Sequence, residues 1–333
     1  MSYKPQTTEE LRSVIELYCS NKEKTIEQYG IINDWDVSNI QNMSNLFKDL
    51  KYFNEDISNW DVQNVRTMVY MFENCSCFDQ NINSWDVQNI QNMSYMFKNC
   101  SSYSPSQLLI GRNWNVSNVQ NIQYMFQGCS KFNQPLNNWN VQNVSNMIAM
   151  FERCYEFNQP LNNWNVQNVL LMDDLFNNCN NFNQPLNDWC VQNVRSMNGM
   201  FFNCINFNQP LNEWNVQNVQ AMAHMFCFCE RFNQPLNEWN VSNVNTMDSM
   251  FRNCLLFNQP LNNWDVSNVQ NMDWMFSKCR SFEHTLNVWN LKNIHTIDFM
   301  FSNCSFIVRS LNKLSIYHDD KLNKFKLKKF WYT

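Results

Sequence analysis

Glycine is almost missing from this chain, with four in 333 residues. That excludes Gly-rich linkers and the Gly-rich loops that cradle phosphates. Charge is sparse as well: 16% of residues are charged and the net charge is -5, which leaves no basic footprint for nucleic acid. No apolar run is long enough to span a bilayer, and the opening Met1-Ser2-Tyr3-Lys4-Pro5 leads into no signal-peptide core. An intracellular protein without a transmembrane segment is the expectation. Histidine is scarce too, and neither His224, His284, His295 nor His318 recurs with a fixed carboxylate. Asp173, Asp174 and Asp298 are isolated acids, so no base, partner and reacting group converge. A non-enzyme without cofactor is expected.

What the chain has in abundance is a repeat. Tryptophan stands at 35, 60, 85, 114, 139, 164, 189, 214, 239, 264 and 289. Those eleven coils step by 25 residues, except that Trp85 to Trp114 carries four more. Valine follows two places on (Leu291 in the last coil), asparagine four places on, and then come Met, Met-Phe or Leu-Phe, and Cys. Such a period is read before any local propensity, because each repeat is one unit that buries its face only against its neighbours.

Two spacings alternate inside a coil. Trp139 and Val141 are two apart, as on one face of a strand. Val144, Met147, Met150, Phe151 and Cys154 step by three and four, as on an amphipathic helix. One strand and one helix per coil, with Leu136, Trp139 and Val141 in an L-x-x-L-x-L frame and Asn143 behind, predict an α/β leucine-rich-repeat solenoid. Its strands would form a parallel sheet at ~4.8 Å spacing. Residues 1–30 read as a helical cap: Thr7 and Glu10 fit a capping box, Leu11, Val14, Ile15 and Tyr18 keep helical spacing, and Gly30 is a stop. The solenoid takes 31–307. Residues 308–333, where Lys321, Lys324, Lys326, Lys328 and Lys329 alternate with Leu322, Phe325, Leu327, Phe330 and Trp331, form a closing cap or basic tail.

The text Phe-Asn-Gln-x-Leu-x-x-Trp-Asp/Asn-Val-Ser/Gln-Asn-Val-x-x-Met-x-x-Met-Phe-x-x-Cys resembles the repeat of the BspA-like leucine-rich-repeat family, over residues 31 to about 305. That family is known from bacterial surface proteins and from mycoplasmas, protists and giant viruses. The resemblance implies the solenoid and, for bacterial members, adhesion or surface binding. Heavy use of Asn, Lys, Ile and Phe points to an AT-rich genome such as a giant virus or a protist has.

Most repeated positions read as structure. Ten of the fourteen cysteines share one position, and with no C-x-x-C plus histidine set they read as small buried thiols rather than disulfides or metal ligands. The asparagines Asn39 through Asn293 read as side chains that bond the backbone at the bend after each strand. Methionines and tryptophans read as core, although a row of exposed tryptophans would suit sugars.

Function is therefore sought in departures from the repeat. Leu170, Leu171, Phe202, Phe228, Leu255, Leu256 and Trp274 are apolar where other coils are polar, and Tyr70, Tyr95 and Tyr124 share the position of Trp274. The longer loop of the fourth coil adds Leu108, Leu109 and Ile110. Clustered on the surface, such groups would bind a protein partner. The reading is a non-catalytic protein-binding scaffold, with an adhesin-like or glycan-binding surface protein as the alternative.

Overall fold

The computed structural model describes residues 2–104 and 114–305. Two α-helices precede the repeats: α1 spans Thr8–Ser20 and α2 spans Lys22–Tyr29. Thr7 Oγ1 accepts the Glu10 N–H at 3.1 Å, and the Glu10 carboxylate accepts the Gln6 N–H at 2.8 Å, so the capping pair closes free amides at the helix start. α1 buries Leu11, Val14, Ile15 and Tyr18. It reaches the first coil through Thr8 Oγ1, which donates to the Asn42 carbonyl at 2.6 Å, and through Arg12, which donates to that of Asn45. α2 stops at Gly30, whose φ of +78° favours a residue without Cβ.

The repeats are not built as their spacing predicts. Among the described residues, α1 and α2 are the only α-helices and no β-strand occurs; the coils hold isolated parallel bridges joined by turns. The expectation of an α/β leucine-rich-repeat solenoid, with a strand and a helix in each coil, is therefore overturned. Ring spacings give the reason. Phe47–Phe72 and Phe72–Phe97 stack at 5.1 and 5.4 Å between neighbouring coils, and Phe201–Phe226 at 5.6 Å. A helix with its side chains is ~10 Å thick. Coils this close leave no room for one.

The chain divides into two compact units, Met1–Gln159 with Asn163–Asn168, and Pro160–Asn162 with Val169–Thr333. In unit 1 the bridges run Asn42, Thr67, Asn92, Asn121, Asn146; in unit 2 they run Leu171, Ser196, Ala221, Thr246, Asn271, Thr296. Beyond each bridge, alternate amides point to the next coil. In unit 2, the N–H groups of Met197, Gly199, Phe201 and Asn203 donate to the carbonyls of Ala221, Ala223, Met225 and Cys227 at 3.0, 2.8, 2.9 and 2.7 Å. The amides between them close turns on their own coil, as Phe202 N–H does on Gly199 C=O and Cys204 N–H on Phe201 C=O. Every second backbone donor thus satisfies a neighbour, and the rest curl the chain.

Curling without a helix demands left-handed residues. In each coil the residues ten and fourteen places after the tryptophan have positive φ: Asn45 and Asp49 in the first, Gly199 and Asn203 after Trp189, Phe299 and Asn303 in the last. Each is third in its turn, where a type II turn needs positive φ. The same turns send Met197, Met200, Phe201 and Cys204 inward, all at 0% exposure. A three-four step of apolar residues therefore appears without a helix.

Side chains repeat the backbone ladder. The indole Nε1–H of Trp214, Trp239 and Trp264 donates to the carbonyl of Leu186, Leu211 and Leu236 at 2.8, 2.9 and 2.8 Å. The thiols of Cys204, Cys229 and Cys254 donate to the carbonyls of Phe176, Phe201 and Phe226 at 3.0, 2.9 and 2.9 Å. Asn218, Asn243 and Asn268 donate from Nδ2 to Gln192, Gln217 and Ser242 carbonyls at 2.8, 2.7 and 2.7 Å. Unit 1 repeats the scheme, for example Trp85 to Ile57, Cys100 to Phe72 and Asn64 to Ser38. These asparagines thus bond backbone as their row suggested, with the acceptor in the preceding coil; Asn39, in the first coil, donates instead to Gln6 Oε1 at 3.2 Å.

Candidate functional site

Positive φ is inexpensive for Gly and tolerable for Asn or Asp, and it costs other L-residues about 1–2 kcal/mol. The fourteenth place mostly respects this, with Asp49, Asn74, Asn99, Gly128, Asn178, Asn203, Asn253 and Asn303. Arg153, Phe228 and Lys278, at φ +60°, +63° and +63°, do not, and of these only Phe228 is aromatic. The tenth place breaks the rule in a pattern: Tyr70, Tyr95 and Tyr124 in unit 1, and His224, Trp274 and Phe299 in unit 2. Asn45, Gly199 and Ser249 stand at the same place in other coils, so the turn does not require an aromatic ring.

In unit 2 several of these rings meet others, among them Phe202, whose φ is not positive. Phe202 and Phe228 lie edge to face at 5.6 Å, and Phe202 approaches the His224 ring at 6.3 Å. Arg252 places its guanidinium 6.0 Å from the Phe228 ring centre and 4.8 Å from that of Trp274, within cation–π range. Trp274 stacks on Phe299 at 4.3 Å. His224 Nε2 sits 3.1 Å from the Asp248 carboxylate, which also accepts from Thr246 Oγ1 at 2.7 Å. The His224 contact, with help from Thr246, holds Asp248 below the usual carboxylate range. All of these side chains are half-buried.

Three of the residues singled out from sequence, Phe202, Phe228 and Trp274, therefore belong to one surface. The others do not join it by any contact. Leu170 is exposed; Leu171 is half-buried and forms the first bridge of unit 2. Leu255 is half-buried and Leu256 exposed, in the short turn after Cys254. Leu108, Leu109 and Ile110 lie outside the described residues, as does the segment 308–333. Sequence reasoning missed Arg252, His224 and Phe299. Numbering the left-handed places would have found His224 and Phe299, since the helical frame puts no special meaning on the tenth residue; Arg252, thirteen places after Trp239, falls on neither of them.

Unit 1 carries a second aromatic column. Tyr70, Tyr95 and Tyr124 stack at 4.5 and 4.6 Å. Lys48 lies over Tyr70 at 4.7 Å and Lys98 over Tyr95 at 5.3 Å. Glu73 sits between the two lysines, 2.8 Å from Lys48 and 3.6 Å from Lys98. Here each lysine has a carboxylate partner. Elsewhere in unit 1 a polar cleft of about 540 Å³ is lined by Asn64, Arg66, Asn89, Gln91, Asn118, Gln120 and Asn143, with the asparagine amides already engaged by carbonyls.

The remaining rows offer little chemistry. The repeat tryptophans are at most 9% exposed, so no indole row is presented to sugars. Burial pushes the Cys75 and Cys227 thiols up to about 12 and raises those of Cys100, Cys204, Cys229, Cys254 and Cys279 well above the usual range. A thiol that is not ionised is a poor nucleophile and metal ligand. Among the described residues no three His, Cys, Asp or Glu side chains are grouped to hold a metal, and no helix is long and apolar enough to cross a membrane.

No curated protein matches the chain. One family model does, in three successive and overlapping stretches at residues 16–109, 106–214 and 195–314, which together span the repeats. Three tandem matches to one model are what a single 25-residue unit, copied through both structural units, produces. The chain belongs to the family described as Mycoplasma protein of unknown function, DUF285.

Proposed function

We propose that the chain is a non-catalytic repeat scaffold that binds a protein partner through the aromatic face of unit 2, and that it is kin to the BspA-like repeat proteins. One observation carries this reading. Phe228, Trp274 and Phe299 are held at positive φ, where Asn or Gly would relieve about 1–2 kcal/mol of strain at each place. Strain kept where the fold has no use for it points to a task at that surface. Rings and an arginine gathered in one patch are the side chains that dominate protein interfaces.

A scaffold of this kind needs no moving parts. The cross-coil ladder fixes the backbone, and the rings rest against one another, edge to face at Phe202 and Phe228 and stacked at Trp274 and Phe299, so little order remains to be lost on binding. The test is capture from cells that express the protein, comparing the wild type with a Phe228→Ser, Trp274→Ser variant. Loss of specific partners with an unchanged urea midpoint supports the reading; identical capture by both proteins refutes the assignment of this face.

A further inference from the structure

Arg252 differs from every other charged side chain at its level of the coil. The charged residues at the equivalent places in unit 1 are Lys48, Glu73, Lys98 and Glu152, and each has an ion pair, Glu73 with both lysines and Glu152 with Arg153. Arg252 has no ion pair with any described residue, although it is fixed on both sides by rings and its backbone is bonded, N–H to Ser249 C=O at 3.1 Å and C=O from Phe228 N–H at 2.8 Å. Its Nε is sealed from water and has no acceptor. The guanidinium has therefore given up part of its hydration and received no anion in return. Its Nη edge stays open, since the residue is only half-buried.

The neighbouring acids are committed elsewhere. Asp248 holds His224 and Thr246. Asp273 accepts from Thr296 Oγ1 and the Asp298 N–H, both at 2.6 Å. Glu230 takes Asn253 Nδ2 at 3.4 Å. What the site lacks is an acceptor supplied from outside the chain.

We propose that Arg252 receives a carboxylate from the partner: an Asp or Glu side chain, or a terminal carboxylate, on a segment whose neighbouring apolar residue lies against Phe202 and Phe228. The inference rests on the protein-binding reading above. A planar guanidinium held by flanking rings is pre-set for the parallel pair of hydrogen bonds a carboxylate accepts. Asp248 and Asp273 nearby favour this singly charged group over a doubly charged phosphate, which they would repel more strongly.

Selection of a random-peptide display library on the full chain tests this directly. Peptides enriched on the wild type are expected to place Asp or Glu beside an aromatic or aliphatic residue. Changing that acid to its amide in the synthetic peptide should weaken binding at least about tenfold, a comparison that leaves the protein untouched. Arg252→Gln should weaken it equally, and Arg252→Glu should turn selection towards Lys and Arg. Peptides that need Phe228 but bind wild type and Arg252→Gln alike would overturn the carboxylate site and leave the protein-binding face standing. Peptides indifferent to both Phe228→Ser and Arg252→Gln would overturn both.

Discussion

Replacing Gly199 by alanine asks the coil which backbone it has, because helix and turn give opposite signs. Gly199 lies between Met197 and Met200, inside the stretch whose apolar spacing reads as helix. In a helix the substitution stabilises by about 1 kcal/mol. In the structure Gly199 has φ +59°, which costs alanine about 1–2 kcal/mol. Its new Cβ would also stand within van der Waals contact of the Asp174 carboxylate, whose Cγ lies 3.3 Å away and whose Oδ1 is nearer still. Asp174 would have to turn away and lose the Asn177 Nδ2 hydrogen bond of 2.7 Å, about 1.5–3 kcal/mol for a charged acceptor. A less flexible unfolded chain returns about 0.4–1 kcal/mol. The net is destabilisation by about 2–4 kcal/mol, read as a lower urea midpoint in tryptophan fluorescence. Adding Asp174→Gly, which removes the carboxylate and keeps a residue suited to the φ of +54° at that place, should restore part of it and leave the backbone term at residue 199. A raised midpoint in the single variant would refute the turn-built coil altogether.

Other outcomes follow from the ladders. Asn168→Ala, which removes the 2.7 Å bond to the Gln142 carbonyl from an exposed amide, should cost about 0.5–1.5 kcal/mol, and an unchanged melting curve would remove the asparagine ladder as a source of stability. Under native conditions a thiol reagent should label the exposed Cys190 and Cys19 and reach the buried repeat cysteines only on unfolding, Cys19 the slower as burial and Glu55 raise its thiol. Mass spectrometry of the labelled peptides checks this; fast labelling of Cys229 would contradict it. Asp248 has its carboxyl held below the ordinary 3.8, so its stabilisation is present above that value and is lost as pH falls through the lower folded value. The gap in urea midpoint between wild type and Asp248→Asn should therefore be open at neutral pH and close in acid. A gap that widens in acid would contradict the assignment.

The period, the inward residues and the asparagine bonds are all legible from the sequence, because they recur and recurrence marks what every coil must do. Secondary structure is not, and Val194, Met197, Met200, Phe201 and Cys204 show why. Their spacing reports which side chains face inward and is silent on how the chain brings them there. A signal did stand between them: Gly199 and Asn203, like Asp174 and Asn178 a coil earlier, are residues that favour positive φ and disfavour a helix. Part of the binding face was visible as apolar departures at Phe202, Phe228 and Trp274. Arg252 was not, since a lone arginine at a variable place looks like any solvated charge until rings are found on both sides of it.

The ladder joins residues by their place in the coil and takes no account of which coil they come from. Suppose the 25 residues from Trp214 to Glu238 were excised from the gene. Gly199 N–H would then meet the Asp248 carbonyl in place of that of Ala223, and the Cys254 thiol would meet the Phe201 carbonyl in place of that of Phe226, atom for atom the same bonds. The loss would fall on the surface, where His224 and Phe228 would vanish and bring Phe202 next to Arg252. Length and surface can thus be rewritten in whole-coil steps by unequal crossing-over, and the cohesion of the stack is indifferent to the edit.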